Sequence, residues 1–307
     1  MRGSPTLMRA VATTLSLTVS AGAQSRALDV GGARINYTVT GTGPAVVLIH
    51  GWALDLREWT DQIPVLSSRF TVIALDRRGF GKSAGFADET ADPGDIRALL
   101  DTLHLRSATL VGHSVGAQVA LRFAAAAPER VDALVLYGGP PPDGFPGIAA
   151  GRDSAAAARR RALARQYGID SLMKVVGAQP QFRPGPRRAP HVVARVDSIV
   201  RSYSGRDLLE SHAQSNRFPA ASVSAVRTWR FPILCIGGEW ETRLWHQVAD
   251  SMTAWLPNAH KVVIPGGGHA VHFDEPEAFN GALLNFLMSA QPAPPANRPG
   301  PPTPIGP

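Results

Sequence analysis

The chain has 307 residues, 44% of them hydrophobic and 18% charged, with a formal net charge of +7. That suits one large globular domain, or one domain carrying an insertion. It excludes a disulfide-stapled fold, because Cys235 is the single cysteine, and no apolar run is long enough to span a bilayer. The charge is uneven: the segment 141–222 holds 13 Lys/Arg against 6 Asp/Glu, so the whole excess lies in that block. A basic surface for anionic lipids or an acidic substrate is one explanation. Arginines used as solvated helix faces, with their long stems covering apolar surface, are the simpler one. Aromatic residues are few among them, which argues against a nucleic-acid partner.

At the N-terminus, Arg2 and Arg9 precede a short apolar stretch, Ala10–Ala21, and Ala21-Gly22-Ala23 fits a small-residue cleavage site. This predicts a secretory signal over residues 1–23, a mature chain starting at Gln24, and a secreted or periplasmic protein. The far end, 290–307, is proline-rich and nearly uncharged, and is expected to be a disordered tail.

Between these ends the elements alternate. Ala27–Val30 and Arg34–Thr40 flank Gly31-Gly32 as a predicted hairpin. Ala45–Ile49 is uniformly apolar, the mark of a strand buried on both faces, and Phe70–Leu75 is a second such run. Asp92–Leu103 places Ile96, Leu99, Leu100 and Leu103 on one helical face. Strand Ala108–Val111, helix Val115–Ala126 and strand Val131–Tyr137 follow. Ile233–Ile236 and Val262–Ile264 are two more strands, and helices are expected at about Leu244–Trp255 and Pro276–Met288. Such alternation implies an α/β fold, with a mostly parallel sheet covered by helices on both faces. The pattern breaks between Tyr137 and Ile233, where helical patches such as Ser154–Tyr167 and His191–Tyr203 replace strands. The expected organisation is a core of 24–140 and 223–289 with a helical cap, 141–222, inserted between two strands. Ligands of open α/β sheets bind beyond the carboxyl ends of the strands, so an insertion leaving that edge would sit over the site.

The most informative residues are Gly112-His113-Ser114-Val115-Gly116. They lie between an apolar strand and an alanine-rich helix, so the serine occupies the apex of a sharp strand-to-helix turn. The flanking glycines leave room where any Cβ would collide with the neighbouring strand and helix. The hydroxyl is thereby held above the sheet, and the Val115 N–H starts a helix where it could face a developing oxyanion. A serine needs a base, and a histidine base needs a carboxylate. Of nine histidines, His269 follows a strand and the flexible run Gly266-Gly267-Gly268. His272 reads as structural, His113 as pointing away from the nucleophile, and His50 as shaping the loop at Gly51-Trp52. For the carboxylate, Glu239 and Glu241 both follow strand Ile233–Ile236. Cys235 reads as a small buried hydrophobe. No metal-ligand pattern of the H-E-x-x-H or clustered Cys/His/Asp kind is present, and neither metal nor cofactor is expected.

Four motifs in order resemble the α/β-hydrolase superfamily. They are His50-Gly51-Trp52, the D-x-R-G-x-G-x-S-like turn Asp76–Ser83, the serine elbow, and Gly266–His269 with Phe273-Asp274-Glu275-Pro276. The elbow and the Asp76 turn are similar to the esterase and cofactor-free haloperoxidase-like branch. The resemblance extends from about Arg26 to Met288. It implies Ser114 as nucleophile, His269 as base, and the N–H groups of Trp52 and Val115 as the oxyanion hole. It points to Glu241 as the acid, one methylene longer than the family's usual Asp, with Asp143 as the candidate if the acid follows the preceding strand. The implied activity is hydrolysis of small or medium carboxylic esters. A lactone, an amide or a C–C bond next to a carbonyl is the alternative, and a non-catalytic binding protein of the same fold ranks lower. Trp52, Trp240 and Trp245 could line an apolar pocket or belong to the core.

Overall fold

A computed structural model describes residues 24–139, 141–146, 152–179, 182–210 and 218–290. The predicted signal segment and nearly all of the tail lie outside the described residues. Eight strands form one sheet: β1 (Ser25–Val30), β2 (Ala33–Thr40), β3 (Ala45–Ile49), β4 (Thr71–Leu75), β5 (Ala108–His113), β6 (Val131–Tyr137), β7 (Ile233–Gly238) and β8 (Ala259–Ile264). Their spatial order is β1-β2-β4-β3-β5-β6-β7-β8. The β1–β2 and β2–β4 pairs are antiparallel, and every pair from β4 to β8 is parallel.

The helices in chain order are α1 (Ile63–Leu66), α2 (Asp92–Thr102), α3 (Val115–Ala126), α4 (Arg152–Tyr167), α5 (Ile169–Gly177), α6 (Pro190–Arg201), α7 (Arg206–Leu209), α8 (Val223–Val226), α9 (Arg243–Trp255), α10 (Val271–Asp274) and α11 (Pro276–Ser289). β8 starts three residues before the expected Val262. Its added residues Ala259, His260 and Lys261 pair with β7 at the sheet edge, where backbone pairing does not require an apolar run.

The period of two along β3 explains the layering. Val47 and Ile49 join Ile73, Leu75 and Leu110 on one face, against Ile96 and Leu99 of α2, Val119 and Phe123 of α3, and Val248 and Met252 of α9. Val46 and Leu48 join Val72, Ala74, Val111 and Val135 on the other face, against Phe279, Leu283 and Phe286 of α11. Each such fully buried side chain contributes roughly 1.5–3 kcal/mol of transfer free energy.

Successive parallel strands run from β3 to β4 on one side and from β3 to β5 on the other, which makes β3/β5 the switch point of the sheet. His50, Ser114, Gly138, Glu241 and His269 all follow carboxyl ends of strands around that point. Helices α4 to α7 lie between β6 and β7. The two ends of this insert meet: Asp143 forms a parallel bridge with Ser222, the Asp143 N–H donates to Ala221 O at 2.8 Å, and the Val223 N–H donates to Asp143 O at 2.9 Å.

Candidate active site

The elbow is strained where the sequence requires it. Ser114 has φ 53° and ψ −115°, a region that a residue with a side chain adopts only under constraint. The constraint is packing. A Cβ on Gly112 would stand 2.4 Å from Gly116 O, and one on Gly116 would stand 2.1 Å from Ile49 O. The Ser114 N–H is fixed by donating to Tyr137 O at 2.7 Å, and Val115 opens α3.

The carboxyl ends of β6, β7 and β8 bring the base and the acid to the same place. His269 Nδ1 lies 2.9 Å from Glu241 Oε2, with Glu241 buried. The other oxygen of Glu241 accepts the Thr242 N–H at 2.9 Å. Burial pushes the Glu241 carboxyl up, but the charge and hydrogen bond of His269 outweigh it, so the group lies below the ordinary carboxylate value. It is a carboxylate able to accept the Nδ1 proton, fix the tautomer and leave Nε2 free for a serine hydroxyl. The turn after β6 crosses both groups: a Cβ on Gly138 would meet His269 Nδ1 at 3.1 Å and Glu241 Oε2 at 3.2 Å. One residue on, a Cβ on Gly139 would lie 3.4 Å from Ser114 O.

The other carboxylates stand elsewhere. Glu239 is exposed and accepts the Gly266 N–H at 3.0 Å, which ties it to the glycine loop before His269. Asp143 is exposed at the root of the insert.

His50 has the loop-shaping contacts its position suggested. Its Nδ1 donates to Gly51 O at 2.7 Å and its Nε2 accepts the Arg77 N–H at 2.9 Å. Asp76 braces the same turn, accepting from Leu56 N, Lys82 N and Asn36 Nδ2 at 2.7–2.8 Å. Arg77 and Arg78 form buried ion pairs with Asp92 and Asp95 in the first turn of α2.

The three tryptophans do not share one pocket. Trp245 is core, beside Cys235 and Met252 in an apolar crevice behind the elbow. Cys235 is likewise buried, and burial pushes its thiol up to about 12. Trp240 is exposed. Trp52 alone lies at the site. It packs beneath the insert, where its indole N–H donates to Asp207 Oδ2 at 2.9 Å and Arg160 lies over its ring at 5.1 Å. A further insert residue, Phe182, meets the candidate base edge-on, its ring centroid 5.0 Å from that of His269. Nothing in its local sequence marked it.

For a cation, Glu58 Oε1, His113 Nδ1 and His272 Nε2 lie within 4.8 Å of one another and are buried. Oε1 and Nδ1 are only 2.5 Å apart. Two metal bonds of about 2.0–2.1 Å to atoms that close would subtend roughly 75°, well short of a tetrahedral angle. The spacing is that of an ion pair.

With this geometry in place, the sequence pattern of the alpha/beta hydrolase fold family matches residues 44–276. The chain belongs to the α/β-hydrolase superfamily. It is 32% identical over 274 residues to the 2-(acetamidomethylene)succinate hydrolase of Mesorhizobium japonicum, covering 86% of this chain and 95% of that one. It is 30% identical over 267 residues to the pimeloyl-[acyl-carrier protein] methyl ester esterase of Nitrosomonas europaea, covering 80% of this chain and 97% of that one. The solved structure of a thermophilic esterase from Thermogutta terrifontis superposes with a TM-score of 0.73 at 24% identity, over 87% of this chain and 99% of that one, a likeness of fold. The hydrolase fold thus places the elbow, the Gly51-Trp52 loop and the His269 loop on one edge of the sheet. No helix among the described residues is long and apolar enough to cross a membrane.

Proposed function

We propose that this hydrolase cleaves carboxylic esters of small or medium size through Ser114, His269 and Glu241. The observation that carries the reading is the 2.9 Å contact of His269 Nδ1 with a buried, ionised Glu241, beside a serine held at φ 53° in the elbow. His269 Nε2 would take the Ser114 proton as Oγ attacks the acyl carbon. The oxyanion so formed would be stabilised by the N–H groups of Trp52 and Val115. His269 would then protonate the departing alcohol, leaving an acyl-serine. Water, deprotonated by the same histidine, would release the acid and restore Ser114.

The insert acts in this reading as a cap, with Phe182 as the apolar group against the base and Trp52 packed beneath the insert. A second reading keeps the triad and changes the bond. It is favoured by the 32%-identical relative whose named substrate carries an acetamido group in place of an ester. A panel of p-nitrophenyl esters of increasing chain length, with lactones and amides alongside, tests both. Ester turnover with a preference for short or medium acyl groups is the expected result. Amide turnover exceeding ester turnover would favour the second reading, and no turnover of any acyl compound would contradict both. We also propose that the chain is exported and begins at Gln24, from the basic and apolar pattern of residues 1–23. N-terminal sequencing of protein from the native host is expected to read from Gln24, and an intact Met1 in the cytoplasm would refute export.

A further inference from the structure

Beneath the proposed triad lies a second carboxylate–histidine assembly that the mechanism does not use. Glu58, in the short turn Leu56–Trp59, is fully buried. Its Oε2 accepts the Gly51 N–H at 2.9 Å. Its Oε1 is 2.5 Å from His113 Nδ1 and 3.2 Å from His272 Nε2. His113 Nε2 reaches His269 O at 3.1 Å.

Proton accounting fixes most of this network. A carbonyl oxygen only accepts, so His113 Nε2 carries a hydrogen. His113 Nδ1 stands 2.5 Å from the carboxylate oxygen, at ion-pair distance but outside hydrogen-bond geometry, so charge rather than a directed bond couples them. The two groups form an ion pair away from water when the imidazole is protonated. His272 Nδ1 is bonded to the Tyr137 hydroxyl, which burial keeps protonated, so the phenol donates and His272 Nε2–H faces Glu58. The rings pack closely around this assembly: His113 stacks on Tyr137 at 4.2 Å. Glu58 itself carries the charge, since the two histidines more than reverse the upward push of burial and hold its carboxyl below the ordinary value.

Each partner stands beside a different part of the proposed site. Gly51 precedes Trp52, His113 precedes Ser114, and His272 shares the loop of His269. Given the triad reading above, on which this inference rests, we propose that Glu58 is a positioning residue that locks the oxyanion loop, the nucleophile elbow and the base loop in register through one carboxylate. It touches no reacting atom. Removing its charge takes away the group that faces His113 and His272 and loosens the three segments together. A misplacement of about 1 Å in such a site costs on the order of a hundredfold in rate.

The test uses a fluorophosphonate probe, in which Ser114 Oγ displaces fluoride from phosphorus, so no natural substrate is required. The first-order rate constant of labelling reports positioning. The final stoichiometry reports the folded fraction, which is all that a merely structural role would move. Glu58→Gln is expected to slow labelling by about 10–100-fold while the final stoichiometry approaches that of the wild type. His113→Gln should slow it to a similar degree, and the double variant should fall within about twofold of the slower single one, because both break the same link. A Glu58→Gln rate within twofold of the wild type, or multiplicative slowing in the double variant, would overturn the proposal. If Glu58→Gln proves insoluble, His113→Gln carries the same question, and a wild-type rate there would overturn it. A wild-type protein that does not label at all would instead remove the triad reading beneath it.

Discussion

The sheet and the insert are held by different forces. In the sheet, Val46 to Ile49 and their neighbours on β4 and β5 are sealed from water on both faces by apolar helices. The insert has a small core of its own, chiefly Ala164, Leu172, Val176 and Leu208. Much of its attachment is polar: Arg188 to Asp274 at 2.8 Å, Arg187 to Glu275 at 2.7 Å, Arg195 to Asp61, and Asp207 to the Trp52 indole. Part of the basic excess of segment 141–222 is thus matched by carboxylates of the sheet domain. This identifies several arginines as tethers, so a basic block in a sequence need not announce an acidic partner. It also divides the labour. Changes in the sheet edge should alter the chemical step, and changes in the insert should alter binding and attachment.

The hardest break is Ser114→Ala, which should leave the fold intact and lower ester turnover on the order of a millionfold. Circular dichroism with a turnover assay checks both halves, and more than a few per cent of residual activity would remove the assignment. Glu241→Gln keeps the size and loses the charge that fixes the histidine tautomer, and should lower turnover by up to about ten-thousand-fold. Glu239→Gln, on a loop hydrogen bond, and Asp143→Asn, at the insert's root, should each stay within about tenfold. If Asp143→Asn is crippling and Glu241→Gln nearly silent, the acid has been placed on the wrong strand.

Acid should weaken the sheet domain in a defined window. Burial lowers His272 to about 4, below the roughly 6.5 of an unfolded chain. Between those values the unfolded state binds the extra proton, so stability rises with pH across the window and is fully present above it. Burial and the Arg77 charge lower His50 as well, in the same direction. The His272 contribution, on the order of 3 kcal/mol from pH 7 down to 4, is opposed by Asp92, whose carboxyl burial raises to about 6, so it is read as the pH dependence of the difference in unfolding free energy between the wild type and His272→Gln. A difference that does not change with pH would mean that His272 is charged in the folded protein.

The tether makes its own prediction. Arg188→Ala would leave Asp274 buried with only the Gly185 and Gly268 N–H groups as partners, at a cost of about 3 kcal/mol, read by denaturant unfolding. Phe182→Ala, on the insert side of the base, should raise KM by roughly 3–10-fold with less effect on kcat. An equal loss in kcat would place Phe182 among the groups that orient His269.

Much of the sheet and the proposed triad was legible because local signals carry them. Apolar runs, the glycine pair of the elbow and the glycine run before His269 each demand a geometry within a few residues. Glu241 was the harder choice, set apart from Glu239 only by the family resemblance, and the structure sets it against His269 with Glu239 turned to Gly266. Glu58 was not legible at all. In Leu56-Arg57-Glu58-Trp59 it looks like a solvated turn residue, and it is buried only because His113 and His272, distant in sequence, close over it. The tethers escaped for the same reason: an arginine in a helical patch shows its charge but not the carboxylate it will find across the fold. The tryptophans show the converse, since three residues of one type near three loops went to a core, a surface and a site.

The central claim, that the sheet edge performs acyl transfer through Ser114, is tested most directly by catching the acyl group. The enzyme is mixed with its best p-nitrophenyl ester, quenched in acid within the first turnovers, digested and mapped by mass spectrometry. The acyl mass is expected on the peptide that holds Ser114, absent in Ser114→Ala and slower to accumulate in Glu241→Gln. An acyl group on another residue, or undiminished ester turnover in Ser114→Ala, would contradict it.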